Sequence, residues 1–175
     1  MIDIFDPAQE QVMVDLETLS LNPNACIVSI GATRFTIEDG IIDQFSVNVD
    51  PFDAKTYGLH IDPDTVAWWR KQDPAISDMW KVDPQPLKEA LTAFCLWFGG
   101  RTIPIYGNSP SFDCVVLREA MKATGVPCPW NFRDETDYRT FCKISPIPFE
   151  KSDHLHSAMH DAIYQTNHLL KILRS

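Results

Sequence analysis

Two acidic residues interrupt an apolar run near the start of the chain. Asp15 and Glu17 lie within "VMVDLETLSL", residues 12–21, whose neighbouring residues are typical of a buried strand. Side chains two positions apart on a strand share a face, so both carboxylates are expected to project together while Val14 and Leu16 pack behind them. Adjacent like charges disfavour ionisation, and a bound divalent cation removes that penalty. The pair is therefore a candidate metal site, and a solvated edge strand is the plainer alternative.

Three more residues with suitable chemistry lie further along the chain. Asp113 is expected in the first turn of a helix, with Ser109 as its N-cap and Pro110 at the first helical position. Asp161 is predicted early in the last helix, and His156 stands five residues before it. On an ideal helix that separation leaves two side chains about 140° apart. His156 is therefore expected at or before the helix start, reaching the same cleft from a loop.

Taken together, these motifs resemble those of the DEDDh 3′–5′ exonucleases. The segments "VDLET", "GNSPSFD" and "HSAMHDA" supply the expected acids and histidine in the expected order and spacing, across nearly the whole chain. The sequence is most similar to the small phage and bacterial exonucleases related to ribonuclease T, in which a "DLET" strand is followed by a loop and a strand like "IVSIGA". No single motif is specific, but the combination is.

The resemblance implies an RNase H-like fold and a reaction that uses two divalent cations, Mg²⁺ or Mn²⁺. Asp15 would bridge both ions, Glu17 and Asp113 would complete one ligand set, and Asp161 would hold the ion near the nucleophile. Carboxylate oxygens suit such hard cations. His156 would act as general base, a role for which histidine ordinarily titrates in a suitable range. The expected reaction releases nucleoside 5′-monophosphates from single-stranded 3′ ends.

Four further residues are candidate substrate contacts. Trp68 and Trp69 are adjacent in a predicted helix and point about 100° apart, so at most one can be fully in the core. The other would stack on a terminal base, or both would pack against the sheet or a partner chain. Leu19 is expected either at the terminal nucleotide or in core packing. Asn108 would support Asp113, contact the cleaved end or only shape the turn.

The elements that must position these residues form a recognisable pattern. An antiparallel meander of three strands, with a hairpin turn at "EDG", is predicted first, and helices alternating with a short strand follow. This order favours an α/β or α+β domain with a mixed sheet flanked by helices. Strands are predicted at 12–16, 26–37, 41–49 and 103–106, helices at 63–71, 87–98, 110–123, 134–142 and 157–173, and a loop at 51–62.

Composition limits the remaining classes. The chain has 175 residues, 45% of them hydrophobic, which favours one globular domain over residues 1–175. A formal net charge of -9 argues against a sequence-independent polyanion binder, unless the acids hold metal ions. The five scattered cysteines are expected to be reduced, as in a cytoplasmic protein. Neither a signal peptide nor a membrane-spanning segment is expected.

Several other interpretations of the same residues have less support. His156 and His160 have the spacing of a helical zinc pair, but the zincin signature needs a Glu where Ser157 stands. The pair His160–Asp161 matches HD-type phosphohydrolases, which need further histidines upstream. An RNase H-like endonuclease and a non-catalytic nucleic-acid-binding module remain alternatives within the same fold. RNA and DNA are both open as substrates, and a homodimer is an expectation that rests on the resemblance alone.

Overall fold

A five-stranded mixed sheet forms the centre of the protein. The computed structural model describes residues 3–100, 102–149 and 156–175. The strands are β1 (Gln11–Thr18), β2 (Ile27–Thr36), β3 (Gly40–Asn48), β4 (Ile105–Gly107) and β5 (Glu135–Asp137). They lie in the order β3-β2-β1-β4-β5. The first three form an antiparallel meander, and β4 and β5 add in parallel, so the predicted mixed sheet is confirmed.

Helices cover both faces of this sheet. They are α1 (Pro51–Thr56), α2 (Pro63–Trp69), α3 (Pro74–Met79), α4 (Leu87–Phe98), α5 (Asp113–Thr124), α6 (Tyr138–Ile144) and α7 (Ala158–Leu173). One apolar core joins the sheet to α4 and α5, and a smaller one joins its other face to α6 and α7. Within the described ranges, no helix is long and apolar enough to cross a bilayer.

Strand β1 divides its side chains between the two cores. Val12 and Val14 pack in the core beneath α4 and α5, whereas Met13 packs in the core beneath α7. Asp15 and Glu17 continue the alternation on the side of Met13. The two acids therefore face the layer that contains α7.

An Asp–Pro pair begins each of the helices α1, α2 and α3. The side chains of Asp50, Asp62 and Asp73 accept hydrogen bonds from first-turn amides, and each following proline takes the first helical position. Asp62 was predicted as such a cap, and this prediction is confirmed. The loop predicted at 51–62 is wrong over α1, and α3 was not predicted, although both begin with the same signal.

Two predicted helix starts are also wrong. Helix α5 begins at Asp113 after Phe112, which provides no side-chain cap, and the Ser109–Pro110 segment forms a turn before it. The helix predicted at 134–142 begins only with α6, because the residues before Tyr138 form β5. Strand β5 pairs with β4 in parallel. This contact joins segments far apart in the sequence, so the local pattern of apolar residues could not predict it.

Candidate functional site

Three carboxylates converge where β1 meets the start of α7. Asp15 and Glu17 project from β1, and Asp161 projects from the first turn of α7. Each offers a carboxylate oxygen, and these oxygens all lie within 4.8 Å of one another. The structure thus brings together three of the four acids that the sequence analysis singled out as metal ligands.

A glycine allows α7 to approach the strands this closely. Gly31 pairs with Asp15 across the β1–β2 ladder. A Cβ atom at Gly31 would lie 2.2 Å from the carbonyl carbon of Ala158 and 2.3 Å from the amide nitrogen of Met159. The backbone of α7 therefore rests directly on the sheet beside Asp15. Sequence analysis did not assign this role to Gly31, although a glycine inside a strand is a known sign of close backbone approach.

The fourth acid, Asp113, reaches the cluster from the first turn of α5. Its carboxylate is buried, and Oδ2 accepts a hydrogen bond of 3.0 Å from the amide nitrogen of Asn108. Asp113 stands outside the group of three close oxygens, but its charge raises the pKa values of both Asp15 and Glu17. It therefore borders the same site, and Asn108 supports it through the backbone.

Burial dominates the electrostatics of the cluster. Burial raises the pKa of Glu17 to about 8, and the charges of Asp161 and Asp113 add to this effect. Burial, followed by the charges of the three other acids, also holds the pKa of Asp15 well above its usual range. Carboxylate oxygens are the ligands that divalent cations prefer, and such a cation would offset the repulsion between the carboxylates.

Gln165 was not anticipated from sequence, and it contacts the central acid. Its Nε2 donates a hydrogen bond of 2.8 Å to Oδ1 of Asp15, which lowers the pKa of that carboxyl against the effects of burial. Gln165 is 4% exposed, and its Oε1 has no hydrogen-bond partner among the described residues. It lies one helical turn after Asp161, so the four-residue spacing is the signal that could have identified it.

His156 lies just before α7, as predicted. It has a φ of 70°, and its amide nitrogen donates to Oδ2 of Asp161 at 3.3 Å. Its ring packs edge-on against Trp68, with 5.1 Å between centroids, and against Trp69, with 5.6 Å. The loop position therefore brings the imidazole to the acidic site beside the two tryptophans.

A cavity of about 480 Å³ opens beside the acidic site. Trp68 and Trp69 both line it. Trp68 is 43% exposed, whereas Trp69 is 8% exposed and donates its indole N–H to the carbonyl of Thr18 at 2.9 Å. Only one tryptophan is thus free to stack, as the helical geometry required. Phe112 also lines the cavity, although its sequence context did not predict a place in the site. The other lining residues include Glu17 and His156.

Leu19 and Asn108 lie apart from this cavity. Leu19 packs against the larger core and borders a separate cavity on the far side of Trp69. Asn108 is exposed, and besides supporting Asp113 it accepts two hydrogen bonds from Arg139. The structure therefore brings Trp68 to the acidic site, and it places Leu19 in the packing role that the sequence left open.

Comparison with solved structures identifies the fold. The chain is similar to E. coli Exonuclease I in complex with a dA16 oligonucleotide (TM-score 0.66, 17% identity, 95% of this chain, 41% of that chain). It is also similar to cell-death related nuclease 4, CRN-4 (TM-score 0.64, 13% identity, 96% and 64% coverage). These similarities confirm the predicted RNase H-like fold. The chain spans about two fifths of the length of Exonuclease I.

Comparison of sequences identifies the family. No curated protein sequence matches the chain. Residues 10–173 match the sequence profile of the 3′–5′ exoribonuclease Rv2179c-like domain. Because this profile covers nearly the whole chain, the protein belongs to the Rv2179c-like 3′–5′ exoribonuclease domain family.

Proposed function

We propose that this protein is a metal-dependent 3′–5′ exonuclease that removes nucleoside 5′-monophosphates from single-stranded 3′ ends. The observation that carries the proposal is the convergence of Asp15, Glu17 and Asp161 within 4.8 Å, beside an aromatic cavity. Family membership supports the same reaction class. The DEDDh subclass and the relation to ribonuclease T are part of this proposal. The first depends on His156, and the second depends on the resemblance of the "DLET" and "IVSIGA" segments.

The four acids would hold two divalent cations, Mg²⁺ or Mn²⁺. Asp15, Glu17 and Asp161 offer close carboxylate oxygens, and Asp113 borders them. Their hard donors and raised pKa values fit dications. When bound, such ions neutralise charge on the phosphodiester and on the attacking and leaving oxygens.

The protein's own side chains would orient the reactants. The base of the terminal nucleotide would stack on exposed Trp68, an interaction that tolerates any base. His156 would accept a proton from the water whose oxygen attacks phosphorus, while the bond to the 3′ oxygen of the upstream nucleotide breaks. That oxygen would take a proton from solvent, which completes the hydrolysis.

The substrate would be a single-stranded 3′ end of RNA or DNA. The family description names an exoribonuclease, and the Exonuclease I structures contain DNA oligonucleotides. Matched RNA and DNA oligonucleotides, compared by initial rate with Mg²⁺ and with Mn²⁺, would identify the preferred sugar.

A cytoplasmic location and a homodimer are further proposals. The location is supported by the five cysteines, which form no disulfide bonds. Sedimentation velocity would test the dimer.

A 5′-labelled oligonucleotide tests the reaction class. We expect a ladder that shortens from the 3′ end, with loss of activity in Asp15→Ala and after chelation of divalent ions. Asp78→Ala, which changes an exposed carboxylate paired with Lys81, serves as the matched control and should behave as the native protein. Internal cuts alone would favour the endonuclease alternative. No cleavage would favour the non-catalytic module.

His156→Ala tests the proposed general base. We expect kcat to fall on the order of 10²-fold, because proton transfer from water then lacks a positioned acceptor. Affinity for Mn²⁺, measured by calorimetry without substrate, should be largely retained because His156 is outside the ligand set. An unchanged rate would place the base elsewhere.

A further inference from the structure

Arg139 is fixed at the edge of the acidic site. It is the second residue of α6, and its Nη2 donates to the carbonyl oxygen of Asn108 at 2.9 Å, while its Nε donates to Oδ1 of Asn108 at 3.3 Å. The amide of the same Asn108 donates to Asp113 at 3.0 Å. A single residue thus links the guanidinium to one of the four acids.

Among the residues that the structure describes, the side chain of Arg139 forms hydrogen bonds only to Asn108. A guanidinium has five N–H groups, and Asn108 takes two of them. Within the described part of the chain, no carboxylate forms an ion pair with Arg139, which is exposed. The nearby carboxylate of Asp137 instead accepts from the backbone amide of Arg139 and from the hydroxyl of Thr140.

A held guanidinium with free donors is suited to one class of ligand. Arginine binds phosphate through parallel N–H bonds, and prior anchoring reduces the side-chain entropy lost on binding. In a protein of net charge -9, a cation placed beside four acids also lowers the repulsion that an incoming polyanion meets.

We propose that Arg139 binds a backbone phosphate of the nucleic-acid strand on the 5′ side of the bond that is cleaved. The inference rests on the proposed exonuclease function. The terminal nucleotide occupies the cavity lined by Trp68 and Phe112, which Arg139 does not line. Arg139 is joined to Asp113 through Asn108, and we place the departing strand on that side of the acidic site. It is therefore a substrate-binding residue that grips the part of the strand retained after each cut.

Another role for Arg139 would be purely structural. By holding Asn108, the guanidinium would keep Asp113 in place and would affect catalysis only through that acid. This alternative predicts weaker binding of metal ions when Arg139 is changed. It also predicts that changing Arg139 weakens binding by the same factor for every oligonucleotide, whether or not its upstream phosphates are charged.

A double-mutant cycle separates the two roles. Arg139→Gln removes the charge, and a methylphosphonate removes the charge of the first phosphate upstream of the cleaved one. We expect each change alone to weaken binding about tenfold, and both together to weaken it little further. Binding is measured by fluorescence anisotropy with Ca²⁺ replacing Mg²⁺, so that it does not depend on turnover. Arg133→Gln, an exposed arginine stacked on Phe132, is the charge-matched control and should show full additivity.

Calorimetry with Mn²⁺ alone completes the test. We expect Arg139→Gln to retain the native Mn²⁺ affinity and Arg139→Lys to recover part of the oligonucleotide affinity. Two results would overturn the proposal. One is that the losses of oligonucleotide affinity caused by Arg139→Gln and by the methylphosphonate multiply in full, both at the first and at the second upstream phosphate. The other is a reduced Mn²⁺ affinity of Arg139→Gln together with such multiplicative losses. Native protein that neither binds nor shortens the oligonucleotide would instead refute the exonuclease function itself.

Discussion

Asp15 is the residue on which the acidic site is centred. Burial and the charges of the three other acids raise its pKa. Among the described residues, the one side-chain hydrogen bond that opposes this effect comes from Gln165. The donor must be the amide N–H, because a carboxylate can only accept. Gln165 therefore favours the ionised form of Asp15, which is the form that binds metal, and fixes its orientation.

Gln165→Leu tests this role at the scale of one hydrogen bond. The change keeps the approximate volume and removes the donor, so we expect Mn²⁺ affinity and kcat/KM each to fall on the order of 10- to 100-fold, as follows from about 1.5–3 kcal/mol for a hydrogen bond to a charged group. Gln165→Glu should lose more, since it places another carboxylate against Asp15. Asn167→Leu, on an exposed position of the same helix, is the control. Native metal affinity in Gln165→Leu would contradict the assigned role.

At the scale of elements, the site depends on how α7 lies against the sheet. The strand β1 carries two acids by its own alternation, but Asp161 joins them only because α7 contacts the backbone of β2 at Gly31. The contact involves main-chain atoms on the α7 side, which cannot move away as a side chain can. Helix placement and metal-site geometry are therefore coupled at Gly31.

Gly31→Ala should break this coupling. The added methyl group would meet Ala158 and Met159 at distances that real Cβ atoms do not adopt, so α7 must shift. We expect a loss of folding stability of about 2 kcal/mol or more, as for other overpacked sites, together with weaker Mn²⁺ binding. Chemical denaturation and calorimetry measure the two effects. Adding Ala158→Gly should not restore either property, because the contact is with backbone; rescue by this second change would refute the explanation.

For the whole molecule, the acidic site is a source of instability when no cation is bound. The protein already carries a net charge of -9, and four of its acids are drawn together at one site. Functional sites commonly contain such destabilising groups, because the same groups bind the ligand, here the metal ions. Stability of the metal-free protein should therefore depend on pH more steeply than its exposed acids alone would produce.

The direction of that dependence follows from Glu17. Its pKa is about 8 in the folded protein against an ordinary 4.5, so between these values the folded state binds more protons than the unfolded state. Stability without metal should accordingly fall as pH rises from about 4.5 to 8, by an amount on the order of a few kcal/mol. Mg²⁺ should restore more stability at pH 8 than at pH 5.5.

Thermal unfolding with chelator and with Mg²⁺, across this pH range, measures the effect. Glu17→Gln should flatten the metal-free curve, because the substituted side chain does not titrate. Asp78→Ala again serves as the exposed control and should leave the slope unchanged. A metal-free protein that gains stability up to pH 8 would contradict the assignment.

The predictable features were those written in local sequence. Alternation along β1, the hairpin turn before Gly40, the Asp62–Pro63 helix start and the end of α4 at Gly99 all follow from short-range geometry. The Asp–Pro starts of α1 and α3 carried the same information and were overlooked. The three-residue strand β5 could not be predicted, since it is stabilised by pairing with distant β4 rather than by its own propensity.

The sequence by itself determined which chemistry is available: four acids and a histidine at characteristic spacings, and the face of β1 that two of the acids share. Tertiary structure decided how those groups meet and what else joins them. Gly31 sets the approach of α7, Gln165 contacts Asp15 across 150 positions of chain, and Arg139 reaches Asn108 across 31. The physical reason is range. Periodicity and capping act over a few residues, whereas the packing that assembles the site joins segments whose separation leaves no local pattern.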